Sequence, residues 1–144
     1  MSAKRIALDT KILFYAVDRD AGIRHRRAIT IVARAAKLDC VLPLQVLCEF
    51  FAAVTRKRRL SAADATEQIE DWKILFPVVC ASPRSLTRAM HAVSQHQLAF
   101  WDAMIWAVAR EANVTLLLSE DFGHEEVLDG VCFRNPFRVA DPFA

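Results

Sequence analysis

The chain has 144 residues, of which 54% are hydrophobic and 25% are charged, and its formal net charge at pH 7 is +2. This length fits one domain over residues 1–144, and the composition is that of a globular protein. The balanced charge excludes a nonspecific polycation, so any binding of nucleic acid has to come from local patches.

Short apolar runs alternate along the chain with longer segments in which apolar residues recur every three or four positions. The short runs predict strands at residues 5–9, 40–42, 76–80, 114–118 and 131–133. The longer segments predict helices at residues 12–17, 24–37, 44–57, 61 to about 75, 83–96 and 100–112. Ser61 with Asp64 resembles a helix cap, and Pro83 suits a first helical turn. The alternation predicts an α/β fold of three layers, with a mainly parallel sheet of about five strands between helices.

The cysteines and the N-terminus bear on the compartment. The four cysteines are widely spaced and lie in or beside apolar runs, which favours buried free thiols over disulfides or a zinc knuckle: Cys40, Cys48, Cys80 and Cys132. The first five residues lead directly into a short apolar run, without the long apolar region and cleavage site of a secretion signal. No apolar stretch reaches the roughly 20 residues that span a bilayer. We therefore expect a soluble cytoplasmic protein without a membrane partner.

Four acidic residues fall beyond the carboxyl ends of the predicted strands, where the working groups of open α/β sheets gather. Asp9 closes the first strand, and Asp121 lies three residues after the fourth. Glu49 lies in the second turn of the helix after the second strand, and Asp102 in the first turn of the helix before the fourth. Glu49 and Asp102 also have mainly apolar sequence neighbours, where an uncompensated charge would cost several kcal/mol.

A divalent cation would compensate these carboxylates. Mg²⁺ and Mn²⁺ prefer oxygen ligands, and Mg²⁺ usually takes one or two carboxylates directly and keeps several waters. Such an ion can activate water for attack on a phosphodiester and stabilise the leaving oxygen. The sequence leaves open whether one or two ions bind, and whether Asp121 or its neighbour Glu120 is the fourth acid.

Five segments carry a resemblance to a known family: LDTKILFYA at residues 8–16, VLCEF at 46–50, FWDA at 100–103, LSEDF at 118–122 and GVCFRNPF at 130–137. The first four resemble the motifs of PIN domains, and the last is similar to the ending of VapC-type toxins of type II toxin-antitoxin systems. The resemblance covers nearly the whole chain and implies a single PIN-like nuclease domain over residues 1–144.

The resemblance implies an endoribonuclease that depends on Mg²⁺ or Mn²⁺, forms a homodimer and is inhibited by a small cognate antitoxin whose tail occupies the active-site groove. Carried over by position, the catalytic and metal-binding residues are Asp9, Glu49, Asp102 and Asp121. Thr10 would support the site through its hydroxyl, and Ser119 and Glu120 flank the fourth acid as further supporting residues.

The chain departs from the family pattern at Lys11, where Asn usually follows Asp-Thr. An ammonium beside four acids would neutralise one of them and compete with the cation, or it would turn outward to an RNA phosphate. We expect the variant Lys11→Asn to bind metal more tightly.

A basic run ends the helix that carries Glu49, and it has two interpretations: Arg56, Lys57, Arg58 and Arg59. Cations are favoured at a helix C-terminus and are easily solvated there. Alternatively, the run binds the RNA backbone.

Two other functions compete with the nuclease. Lys11 favours a catalytically weak PIN-like module that engages RNA or an antitoxin without efficient cleavage. A phosphoacceptor domain would need an acidic pair after the first strand and a lysine after the last, and the sequence has neither. Neither the RNA target nor the identity of the antitoxin follows from the sequence.

Overall fold

The central sheet has six strands, in a computed structural model that describes residues 4–144. The strands are β1 Ile6–Leu8, β2 Cys40–Pro43, β3 Val78–Val79, β4 Leu116–Leu118, β5 Val127–Leu128 and β6 Val131–Arg134. Their order across the sheet is β3-β2-β1-β4-β6-β5, and every neighbouring pair is parallel except β5 with β6. Strands β1 and β4 are fully buried, as expected for parallel strands covered on both faces. Residues 1–3, on which the prediction about a secretion signal partly rests, lie outside the described residues.

Six helices connect the strands: α1 Thr10–Val17, α2 Ile23–Ala35, α3 Leu44–Arg56, α4 Ala62–Leu75, α5 Pro83–His96 and α6 Phe100–Glu111. The chain moves from β1 outward to β2 and β3, and then returns past β1 to β4. Right-handed crossovers in opposite directions place α1 to α4 on one face of the sheet and α5 with α6 on the other. This confirms the predicted α/β fold with a mainly parallel sheet. Across residues 4–144, no helix is long and apolar enough to cross a bilayer.

The sheet has one strand more than predicted, because β5 is only two residues long and too short to show a period. It pairs with β6 through the turn Asp129-Gly130, whose φ angles are 47° and 81°. Two successive positive φ angles define the tight hairpin turn for which Asp-Gly is a preferred sequence. That dipeptide was the available signal for the missed strand.

Helix α1 begins two residues earlier than predicted, because Asp9 caps it and Thr10 is already helical. The predicted cap of α4 and the predicted place of Pro83 in the first turn of α5 are confirmed, and the structure adds a cap of α5 that was not predicted. The Ser61 side chain accepts a hydrogen bond from the Asp64 amide, and Ser82 forms a reciprocal capping box with Ser85 before α5.

The prediction of four buried thiols is wrong. All four cysteines are free, but only Cys40 is buried, whereas Cys48 and Cys80 are exposed and Cys132 is intermediate. Apolar sequence neighbours do not bury a helical residue that faces outward. Cys48 lies on the exposed side of α3, next to the buried Leu47.

Candidate active site

The candidate site lies where the direction of the chain reverses, at the carboxyl ends of the neighbouring strands β1 and β4. Asp9 follows β1, and its amide donates to the Leu118 carbonyl at 3.0 Å. Ser119 follows β4, and its Oγ donates to Asp9 Oδ2 at 2.5 Å. The Thr10 amide donates to Asp9 Oδ1 at 2.7 Å. Both carboxylate oxygens of Asp9 are therefore fixed by the two central strands and the first turn of α1.

Asp9 is almost completely buried. The residue is only 3% exposed, so water solvates its charged form poorly. Burial raises the pKa of Asp9 from 3.8 to about 6, against the lowering effect of its hydrogen bonds from Ser119 and Thr10. Repulsion by Asp121 and Asp102 adds to the increase. A nearby cation would stabilise the ionised form of Asp9 and lower its pKa again.

Glu49 reaches the site from α3 and is oriented by two donors. Thr10 Oγ1 donates to Glu49 Oε1 at 3.2 Å, and Gln45 Nε2 donates to the same oxygen at 3.3 Å. Gln45 Nε2 also donates to the Trp101 carbonyl at 2.9 Å and so connects α3 to α6. Gln45 was not predicted as a site residue. Its signal was its position one helical turn before Glu49.

Asp102 lies in the first turn of α6 and is partly buried. Burial raises its pKa, and repulsion from Asp121 and Glu49 raises it further, whereas Lys11 lowers it. The side chains from β1, α3, α6 and the loop after β4 therefore lie within electrostatic reach of one another.

Asp121 is held on two sides. Lys11 Nζ donates to Asp121 Oδ1 at 2.6 Å, and this hydrogen bond raises the pKa of the Lys11 ammonium. The Asp121 amide donates to Ser119 Oγ at 3.1 Å. Ser119 thus connects two of the acids, since it also donates to Asp9.

Glu120 points elsewhere. The Tyr15 hydroxyl donates to Glu120 Oε1, and Arg24 Nε donates to Glu120 Oε2 at 3.3 Å. Of the two candidates for the fourth acid, Asp121 therefore faces the other acids, and Glu120 is bound between α1 and α2. Tyr15 and Arg24 had no sequence signal for this role, because their partner lies about 100 residues away.

All four predicted acids line one cavity of about 430 Å³, together with Thr10, Lys11, Phe14, Tyr15, Ala52, Ala53, Arg56 and Lys57. A larger cavity of about 530 Å³ lies along α5, but Asp129 is the only acidic residue among those that line it. The convergence of carboxylates therefore identifies the candidate site, and cavity size does not.

The basic run at the end of α3 divides into two parts. Arg56 and Lys57 line the acidic cavity, and Lys57 Nζ lies 5.0 Å from the centre of the Phe14 ring. Arg59 instead forms ion pairs with Asp20 Oδ2 at 2.7 Å and Asp18 Oδ1 at 3.5 Å. Arg58 is exposed and has a φ of 55° at the end of the helix.

The donor set fits a hydrated ion. Within residues 4–144, no three acidic, histidine or cysteine side chains converge closely enough to bind one metal directly. The four carboxylates nevertheless share a cavity, and repulsion from neighbouring carboxylates raises the pKa of both Asp9 and Asp102. This suits Mg²⁺, which uses one or two direct carboxylates and retains water in its other positions.

The PIN domain family model matches residues 6–128 of the chain. The chain therefore belongs to the PIN domain family. No curated protein matches it in sequence.

Solved structures with the same fold include several toxin-antitoxin proteins. The sarcin-ricin loop cleaving toxin VapC20 of Mycobacterium tuberculosis is 21% identical with a TM-score of 0.66, over 81% of this chain and 91% of that chain. A toxin-antitoxin complex from Klebsiella pneumoniae is 19% identical with a TM-score of 0.61, over 90% of this chain and 95% of that chain. VapBC2 of Rickettsia felis, bound to a DNA fragment from its promoter, is 13% identical with a TM-score of 0.66, over 90% and 96% of the two chains.

Proposed function

We propose that this PIN-domain protein is a metal-dependent endoribonuclease, which hydrolyses RNA phosphodiesters with Mg²⁺ or Mn²⁺, and the toxin of a type II toxin-antitoxin pair. One observation carries the proposal: Asp9, Glu49, Asp102 and Asp121 line a single cavity, although they are far apart in the sequence. The similarity in fold to VapC20, a sarcin-ricin loop cleaving toxin, supports the substrate class.

Asp9 and Asp102 are the residues that would hold the ion, because burial and repulsion from neighbouring carboxylates disfavour their charged forms in its absence. The bound ion would activate water and stabilise charge on the phosphate. Ser119 and the Thr10 amide fix the Asp9 oxygens, and Thr10 with Gln45 orients Glu49. These supporting hydrogen bonds would keep the carboxylates in place during the reaction.

Arg56 and Lys57 would receive the RNA. They line the same cavity as the acids, so a bound strand would place its phosphates between cations and the metal site. Ala52 and Ala53, which have small side chains, line the cavity beside them.

The test is a cleavage assay on single-stranded RNA with Mg²⁺, Mn²⁺ or EDTA. We expect cleavage with either metal and none with EDTA. Asp9→Asn should lower the rate of cleavage by at least about a hundredfold. Mutating a residue that only supports a metal ligand can lower activity by up to about a hundredfold, and losing the ligand itself should cost at least as much. Cleavage that persists in EDTA and in Asp9→Asn would refute the proposed chemistry.

The second candidate is a catalytically weak module that binds RNA or an antitoxin without efficient cleavage. The ion pair between Lys11 and Asp121 favours it, because this contact occupies one of the four acids. RNA binding measured by fluorescence anisotropy, with no cleavage at any metal concentration, would favour this candidate over the nuclease.

We propose an antitoxin and a second copy of the chain as protein partners, and the cytoplasm as the place of action. Support comes from similar folds in toxin-antitoxin complexes. Coexpression with the product of the neighbouring upstream reading frame should yield a stable complex that no longer cleaves RNA. Light scattering of the chain alone should give the mass of two copies, and the mass of one copy would contradict the homodimer.

A further inference from the structure

One cation already lies among the acids of the proposed metal site. Lys11 Nζ is 2.6 Å from Asp121 Oδ1, and Lys11 lines the cavity together with all four acids. Three successive residues at the start of α1 thus reach three parts of the site. Asp9 is held by Ser119, Thr10 donates to Glu49, and Lys11 donates to Asp121.

The position of Asp121 favours a lasting contact with Lys11. The Asp121 amide is bound to Ser119 Oγ, so the loop holds this carboxylate near the first turn of α1. The side chains of Lys11 and Asp121 are 51% and 30% exposed, so the pair forms without burying either charge deeply. Lys11 occupies Asp121 Oδ1, so an ion could use only Oδ2, beside the ammonium, whereas Asp9 and Asp102 have no cationic hydrogen-bond partner among residues 4–144.

We propose that Lys11 is a resident counter-ion that keeps Asp121 outside the metal-ligand set, so that the cavity binds a single divalent ion on the side of Asp9, Asp102 and Glu49. This inference rests on the proposed metal site, and it identifies Lys11 as a positioning residue for it. Of the four carboxylates in the cavity, those of Asp9, Asp102 and Glu49 then remain for the ion.

The test is a double-mutant cycle in Mn²⁺ binding, with free Mn²⁺ measured by electron paramagnetic resonance and the heat of binding by calorimetry. We expect one Mn²⁺ per wild-type chain. Removing both members of the ion pair, in Lys11→Met with Asp121→Asn, should change the Kd by less than about twofold, since this leaves no unpaired ammonium among the acids. In the Lys11→Met background, the same Asp121→Asn change should weaken Mn²⁺ binding by about tenfold, because Asp121 is then free to act as a ligand.

Two variants serve as controls. Lys57→Met removes a positive charge from the same cavity, but Lys57 forms no ion pair within the described residues. Lys57→Met should therefore tighten Mn²⁺ binding much less than Lys11→Met does. Lys11→Arg keeps the cation and should leave the Kd close to that of the wild type. Thermal unfolding of each variant establishes that it is folded. If Lys11→Met does not fold, Lys11→Gln takes its place.

A tenfold loss of affinity on removal of the whole pair, in Lys11→Met with Asp121→Asn, would overturn the inference, because Asp121 would then be a ligand in the wild type. Two Mn²⁺ ions per wild-type chain would overturn it as well. Both results would leave the proposed nuclease standing. Failure of every variant to bind Mn²⁺ would instead refute the metal-dependent function, and this inference with it.

Discussion

Asp9 shows how a single residue connects stability to pH. Its pKa in the folded protein is about 6, against an ordinary value of 3.8, because it is buried. Between these two values the folded state binds more protons than the unfolded state, so the free energy of unfolding falls as pH rises through this window. Above about pH 6 the whole penalty is present, and it amounts to about 3 kcal/mol at 1.36 kcal/mol for each unit of pKa.

Asp9→Asn should therefore stabilise the metal-free protein. In EDTA at pH 7.5 we expect its free energy of unfolding, measured by urea denaturation, to exceed that of the wild type by up to about 3 kcal/mol. The difference should narrow at pH 5, where the wild-type carboxyl is mostly protonated. Asp71→Asn, at an exposed acid of α4, is the control and should change little. A less stable Asp9→Asn protein would show that the buried charge of Asp9 does not destabilise the folded state.

Ser119 is the residue on which two acids depend. It is 1% exposed, donates to Asp9 and accepts from the Asp121 amide. Ser119→Ala should weaken Mn²⁺ binding by about tenfold, since supporting hydrogen bonds typically contribute that much to metal affinity. Ser85→Ala removes another buried serine, in the capping box of α5, and calorimetry should show lower stability without loss of Mn²⁺ affinity. Equal Mn²⁺ affinities in wild type and Ser119→Ala would remove Ser119 from the proposed site.

At the scale of elements, the basic residues at the end of α3 have two roles: Arg56 and Lys57 line the acidic cavity, and Arg59 forms ion pairs. The double variant Arg56→Ala with Lys57→Ala should weaken binding of single-stranded RNA and reduce the salt-dependence slope by about 1.4, which is about 0.7 for each lost phosphate contact. Anisotropy in EDTA measures binding without cleavage.

Arg58→Ala with Arg59→Ala is the matched pair, and it should keep the RNA affinity. Its expected cost is about 1 kcal/mol of stability or more, because Arg59 pairs with Asp18, which is only 8% exposed, as well as with the exposed Asp20. Equal effects of the two double variants on RNA binding would show that the charge of the whole run acts without regard to position.

The same element shows what can be predicted from the sequence and what cannot. Helical periodicity predicted α3 to within one residue, and the family motifs selected Glu49. Whether a basic residue of the run lines the cavity or pairs with Asp18 and Asp20 depends on the direction of the last turn of α3 relative to α1 and the segment after α1. Tyr15 and Arg24 were missed because their partner Glu120 comes from another element, and the contact of Gln45 with Trp101 was missed for the same reason.

At the scale of the whole molecule, strand order explains why the four acids meet. Because β1 lies between β2 and β4, Asp9 after β1 becomes adjacent to the loop after β4, while α3 and α6 approach from opposite faces of the sheet. The order of the strands does not follow from periodicity. The motif resemblance predicted that the four acids form one site, but it did not predict the geometry of that site. The two-residue strand β5 was not predicted at all.

Because the folded chain alone assembles this cluster, metal binding should stabilise the fold. At a concentration a hundred times its Kd, Mn²⁺ should raise the free energy of unfolding by about 2.7 kcal/mol. The effect should depend on pH with a definite sign. Asp9 has a pKa of about 6 and has to lose its proton to bind the ion, so affinity should fall by up to about tenfold for each pH unit below 6.

Thermal unfolding with and without a fixed Mn²⁺ concentration, from pH 7.5 down to pH 5, tests this dependence. The increase in Tm should be constant above pH 6.5 and should shrink below pH 6. In Asp9→Asn the increase should be small at every pH, because the titrating ligand is gone. A wild-type increase of equal size at pH 5 and pH 7.5 would mean that no buried proton is released when the ion binds. The ion would then have to lie away from Asp9, at the more exposed acids of the cavity.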